Sequence, residues 1–301
     1  MAAPRIKALL DWTISVPVIA VVLLAITWNG QPQAWLLVLA GAFLVGSVLA
    51  AVHHAEVVAH RVGEPFGSLV LAVAVTVIEV ALIVTLMLSG KGGTTTLARD
   101  TVFAAVMITM NGIVGLSLLV AATKHHLAVF NAEGAGSALG TVVTLAGLTL
   151  VLPRFTTSEP GPVFSPEQLA FAAVASLALY GMFVFTQTIR HRDFFLPTTA
   201  DAVPLDEDAH AEPPTNAATF ISLAALFIAL IAVVGLTKVE SPAIEAGVQA
   251  IGFPQTVVGV VIALLVLLPE SIAAVKAAGR NRVQTSLNLA YGSAMASIGL
   301  T

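Results

Sequence analysis

Cysteine is absent from all 301 residues. That excludes disulfides, thiolate metal sites and cysteine nucleophiles, and leaves the redox compartment unassigned. Charge is scarce as well: ten per cent of the residues are charged, against roughly 25% in soluble domains. The net charge of −4 is spread over loops where the signs partly cancel, and nothing in it points to nucleic acid. What is abundant is hydrocarbon. Fifty-seven per cent of the residues are hydrophobic, mean hydropathy is +0.96, and several uncharged runs approach the roughly 20 residues that a helix needs to cross a bilayer. The chain reads as an all-α, polytopic transmembrane bundle in contact with membrane lipid.

Nine spans are expected: Trp12–Trp28, Ala34–Val52, Gly67–Ser89, Thr101–Thr123, Gly136–Leu152, Gln168–Ile189, Asn216–Thr237, Thr256–Val275 and Thr285–Thr301. Arg5 and Lys7 precede the first as in a signal peptide. No convincing small-residue cleavage site follows Trp28, so this run is read as a retained helix. Lysines and arginines fall nine on the N-terminal side of these spans and four on the other, which predicts a cytoplasmic N-terminus. The chain then divides into a first helix (1–33), a half with five spans (34–189), an acidic linker (190–215) and a half with three spans (216–301). The linker, with Asp201, Asp206, Glu207, Asp208 and four prolines at 197, 204, 213 and 214, is a solvated segment by composition. Its sharper reading is a cation-sensing strip at a pathway mouth. His53, Glu56 and His60, at i, i+3 and i+7, would share one face of a helix leaving the second span. They read as a polar helix end more readily than as a metal site.

Two acids stand out. Glu79 is the only ionisable residue of Gly67–Ser89, and Glu270 the only acid of Thr256–Val275. A charge near the bilayer centre costs at least roughly 2.5 kcal/mol and marks a functional site by default. Pro269, just before Glu270, removes a backbone donor and should break its helix. The segments GEPFGSLVLAVAVTVIE (63–79) and GFPQTVVGVVIALLVLLPE (252–270) both open on Gly-x-Pro and reach their acid 16 and 18 residues after the glycine. Each leads through a polar loop to a span of small and polar residues. The first contains VMITMNG, with Asn111 and Gly112; the second contains NLAYGSAMAS, with Asn288, Gly292, Ser293 and Ser297. Setting Val106 against Gly292 places Asn111 opposite Ser297. Glu79 lies in the third span and Glu270 in the eighth, five spans later, so their helices run in opposite directions. This is the plan of an inverted-topology repeat with an ion site between its halves.

These paired segments resemble the two alpha-repeats of the calcium/cation antiporter superfamily. TVIEVALIV, ARDTVFAAVMITMNGIVGL and LPESIAAVKAAGRNRVQTSLNLAYGSAM are similar to its bacterial calcium/proton antiporter branch. The resemblance implies Glu79 and Glu270 as cation and proton ligands. It sets Asn111 on the Asn of the first repeat's pattern and Gly292-Ser293 on the Gly-Ser of the second. Thr76 and Leu267 stand where many members have Asn, and Val106-Met107 where the first Gly-Ser would be. Fewer side-chain oxygens leave sodium and potassium as substrates beside calcium. The family would have eleven spans, so the chain is expected to be a C-terminally truncated form.

The implied function is exchange of cations for protons by alternating access. Glu79, Glu270, Asn111 and Ser293 would be cation ligands, with Thr76, Gly112, Pro269, Asn288, Gly292 and Ser297 lining the site. No resident cofactor is called for, and a homo-oligomer is compatible with the sequence. A passive channel would use the same acids as a selectivity element, and a shortened chain could be inactive or depend on a partner. The spans hold no paired-Asp motif, no Ser-His arrangement and no HExxH helix, so an intramembrane enzyme has little support.

Overall fold

The computed structural model describes residues 11–28, 30, 32–63, 77–81, 83–84, 97–196 and 214–300. Most of the expected third span, including Thr76, and most of the acidic linker lie outside the described residues. The described residues are helical, without strands. Their labelled helices are α1 (Trp12–Thr27), α2 (Ala34–Val62), α3 (Ala98–His125), α4 (Ala132–Phe155), α5 (Pro166–Arg190), α6 (Asn216–Ala250), α7 (Thr256–Val266), α8 (Leu268–Gly279) and α9 (Val283–Leu300). Among them, α2 to α6 are long and apolar enough to cross a membrane, and α7 with α8 makes a sixth, broken span. α1 is apolar but shorter.

The helix ends follow local chemistry. Asp11 accepts from the Thr13 N–H at the start of α1, and Asn131 from the N–H groups of Glu133 and Gly134 at the start of α4, satisfying donors that a helix start leaves unpaired. Ser165 and Gln168 form a reciprocal capping box ahead of α5, with Pro166 in the first turn, where a missing N–H costs nothing.

The chain folds as two compact units, Met1–Thr101 with Glu212–Pro269 and Val102–Ala211 with Glu270–Thr301. Each draws on both halves of the sequence. The first unit is built on α1, α2 and α6, of which α2 and α6 form the most extensive pair. Ala20, Ala40, Ala229, Ala232, Val233 and Leu236 are wholly buried there. Small side chains let membrane helices approach closely, since packing and not water exclusion holds them together. Gly235 is the tightest case: a Cβ on it would run into the side chain of Leu24. Arg61, near the end of α2, donates to Asn216 Oδ1 at the start of α6 at 2.6 Å, so these two helices run antiparallel. That is the direction expected for equivalent members of an inverted repeat.

In the second unit α9 is the central element, packed against α3, α4 and α5. Leu287, Ala290, Ala294 and Met295 are buried on it at 1% exposure or less. Its polar residues from Gln284 to Ser297 are buried or half-buried.

Two expectations change in extent. Helix α6 runs 13 residues past the expected end at Thr237, through Lys238, Glu240 and Pro242 to Ala250. The apolar period continues past the charges: Val239, Ile244 and Val248 pack on the first unit's core. Lys238 sets its ammonium 4.2 Å over the Trp28 ring, a favourable place for a cation beside apolar surface. The second change is that α3, α4 and α5 each contain a π-helical turn, at Ile108–Ile113, Gly147–Val151 and Thr186–Arg190.

Candidate cation site

Glu79 lies in the helical residues 77–81 of the first unit and is 2% exposed. Its neighbour Ile78 belongs to the core formed by α1, α2, α6 and α7. The acid is therefore held on a packed element and removed from bulk water. Elsewhere in the same unit, Gly259 of α7 lies against the backbone of Thr101, with only 3.0 Å between the Thr101 nitrogen and the place a Cβ would take.

Glu270 stands in the first turn of α8 and is half-buried, directly after buried Pro269. The expected break is present. Helix α7 ends at Val266, Leu267 takes φ −80°, ψ −1° with its N–H on the Ala263 carbonyl, and α8 starts at Leu268. Pro269 has no N–H to offer the Leu265 carbonyl, so the break places a backbone acceptor and a helix start close to Glu270 in the chain. Broken membrane helices present such carbonyls and N–H groups to ions.

Asn111 and Gly112 sit on the π-helical turn Ile108–Ile113, which packs against α9 in the second unit. Such turns recur at functional sites because the wide turn re-aims side chains. Asn111 is exposed, and its Nδ2 donates to the Met107 carbonyl at 3.1 Å, which leaves Oδ1 as the amide's acceptor end. On the facing helix Gly292 and Ser293 are half-buried and Ser297 is 3% exposed. The structure thus brings the small-polar segments of the two repeats together, Asn111 and Gly112 with the helix of Gly292, Ser293 and Ser297.

Asn288 is placed differently. Its Nδ2 donates to the Phe195 carbonyl at 2.6 Å and its Oδ1 accepts from Gln284 Nε2 at 2.9 Å, while Gln284 Oε1 accepts from the Asn131 N–H at 2.7 Å. Both ends of this amide are used in tying α9 to the start of α4 and to the segment after α5.

Sequence reasoning passed over Gln284, 1% exposed, and Glu240, 8% exposed in α6. Glu240 was hidden by ending the seventh span at Thr237; the apolar positions after Lys238 were the available signal. His53, Glu56 and His60 are exposed on α2, and no group of three or more His, Asp or Glu among the described residues is arranged to hold a metal ion.

Residues 32–189 and 221–301 match the family described as sodium/calcium exchanger protein. The ionic transporter y4hA of Sinorhizobium fredii is 46% identical over 296 residues, covering 96% of this chain and 78% of that protein. The sodium-potassium/proton antiporter ChaA of Escherichia coli is 35% identical over 288 residues, covering 95% of this chain and 77% of its own. Among solved structures, the H+/Ca2+ exchanger CAX superposes with a TM-score of 0.71 at 15% identity, over 97% of this chain and 71% of that one. Native YfkE gives 0.66 at 16% identity, over 95% and 78%. At such identities the two structures show a shared fold. The chain belongs to the sodium/calcium exchanger protein family, membrane transporters that exchange cations and are not enzymes.

Proposed function

We propose that this chain exchanges calcium, with sodium or potassium as further substrates, for protons across a bacterial inner membrane, its N-terminus in the cytoplasm. The observation that carries the reading is the matched pair of membrane acids. Glu79 and Glu270 each follow a Gly-x-Pro entrance in a chain of the exchanger family. A carboxylate binds a proton or a cation, and each disfavours the other. Two carboxylates shared by one site therefore couple loading of a cation to loss of protons without any covalent chemistry. Calcium takes six to eight oxygens, with carboxylates, amide and backbone carbonyls and water all suitable. Asn111 Oδ1, Ser293 and the backbone at the Leu267 break would supplement the two acids. Thr76, Gly112, Pro269, Gly292 and Ser297 would line the same path, and Asn288 would border it.

Sodium and potassium are included because Thr76 and Leu267 supply fewer oxygens than paired asparagines would, and because the 35% identical relative is named a sodium-potassium/proton antiporter. The test is proton movement in sealed vesicles of the purified chain on addition of each cation in turn. Exchange predicts internal alkalinisation that depends on the cation and persists when the membrane potential is clamped. Cation entry with no proton movement would mean a channel.

A further inference from the structure

We infer that the groove between α4 and α5 is a binding site for an anionic phospholipid, one acyl chain lying in the groove and the headgroup on the basic end of the second unit. The groove is a cavity of about 340 Å³, walled by Ser137, Gly140, Thr141 and Thr144 of α4 and by Met182 and Thr186 of α5. Its three threonine hydroxyls are turned back onto their own helices. Thr141 donates to the Ser137 carbonyl at 3.0 Å, Thr144 to Gly140 at 2.8 Å and Thr186 to Met182 at 2.9 Å. Hydroxyls bonded to their own helix carbonyls leave methyl groups and a glycine floor, a lining suited to hydrocarbon. Gly140 has open space where a Cβ would stand, so the floor is unfilled.

The charge at one end of the groove selects the headgroup. Ser137 near the start of α4 and Thr186 near the end of α5 both line the cavity, and a Cβ on Gly134 would meet the Phe194 carbonyl just beyond. The same end of this unit gathers the other turns. His125 contacts the Gly279 carbonyl at 3.2 Å, and the Asn131 N–H donates to Gln284. Lys124, Arg190, Arg192, Lys276 and Arg280 therefore lie towards that end, with Glu133 and Asp193 beside them among the described residues. Arg190 is four residues past Thr186, on the π-helical turn Thr186–Arg190, which puts it about one turn above the groove. Juxtamembrane Lys/Arg clusters attract anionic headgroups. A groove of this lining that ends towards these cations matches an anionic phospholipid better than a zwitterionic one.

The experiment is native mass spectrometry of the full chain with palmitoyl-oleoyl phosphatidylglycerol or phosphatidylcholine at equal mole fraction. The expected result is preferential retention of phosphatidylglycerol. Filling the groove with Gly140→Leu should lower retention about tenfold, as should Arg190→Gln with Arg192→Gln, whereas Arg154→Gln, beyond the other end of the groove, should leave it unchanged. Equal retention of both lipids, undiminished retention in Gly140→Leu, or a dimer that Gly140→Leu dissolves would overturn the inference. A measurement on the unmodified chain guards against misfolded variants. Phosphatidylglycerol with a photoreactive acyl tip should label residues 137–144 and 179–186, and labelling spread evenly over the helices would count against the site.

Discussion

Gly63 and Gly252 both end their helices at positive φ, +76° and +74°. Gly63 closes α2 with its N–H on the Ala59 carbonyl, and Gly252 closes α6 with its N–H on Gln249. These are the two glycines that open the Gly-x-Pro segments leading to Glu79 and Glu270, so the sequence repeat has a counterpart in torsion. Among the described residues Gly161 is the one other glycine with positive φ. The helices that these glycines terminate are also the pair that packs most extensively in the first unit.

Neither glycine is crowded; a Cβ on either would meet nothing within 4 Å. The requirement is conformational: Gly63 combines positive φ with ψ of 170°, a region essentially confined to glycine and costing other residues about 1–3 kcal/mol. Gly63→Val and Gly63→Asn are both expected to lower the thermal midpoint clearly, because Asn tolerates the left-handed helical region but not extended ψ at positive φ. A midpoint unchanged in either variant would mean that torsion is not limiting.

Gly235 tests packing instead. Gly235→Ala drives a methyl into Leu24, and overpacking costs about 1–3 kcal/mol. Shortening the partner with Leu24→Ala in the same chain should restore part of that stability, a coupling readable in a double-mutant cycle of thermal midpoints.

Asn288 and Asn111 should separate in kind. Asn288→Leu leaves the Phe195 carbonyl and the buried Gln284 amide short of partners, a loss of about 1–3 kcal/mol, with the half-saturating cation concentration unchanged. Asn111→Leu removes an exposed side chain whose Nδ2 bond lies within its own helix. Its stability should hold while the half-saturating concentration rises about tenfold, the loss of one oxygen ligand worth some 1.4 kcal/mol. Transport assays beside melting curves decide both.

Acidification should weaken cation uptake. If protons and cations compete for Glu79 and Glu270, the half-saturating cation concentration rises as pH falls, with the maximal rate recovered at high cation. A maximal rate that falls with no change in half-saturation would point to a proton effect away from the cation site.

Much of this arrangement was legible in the sequence because hydrocarbon runs set span positions and because proline has one backbone consequence. The break before Pro269, the helix carrying His53 to His60 beyond the second span, and the antiparallel sense of α2 and α6 all followed from such local rules. The long tail of α6 did not. Lys238 and Pro242 read as an ending, and what carries the helix past them is tertiary: the Trp28 ring under Lys238 and the core contacts of Val239, Ile244 and Val248. The π-helical turn beneath Asn111 was equally hidden, since no residue type announces one. Asn288 showed the limit of reasoning from polarity. A buried amide needs partners, but the sequence does not say whether those are an ion or the Phe195 carbonyl.

Whether two carboxylates share the exchanged proton and cation is decided by calcium-, sodium- and potassium-driven proton flux in vesicles of the wild-type chain, Glu79→Gln and Glu270→Gln, each checked for folding by its thermal midpoint. Folded protein with exchange lost in both variants is the predicted result; wild-type exchange retained by both would contradict it.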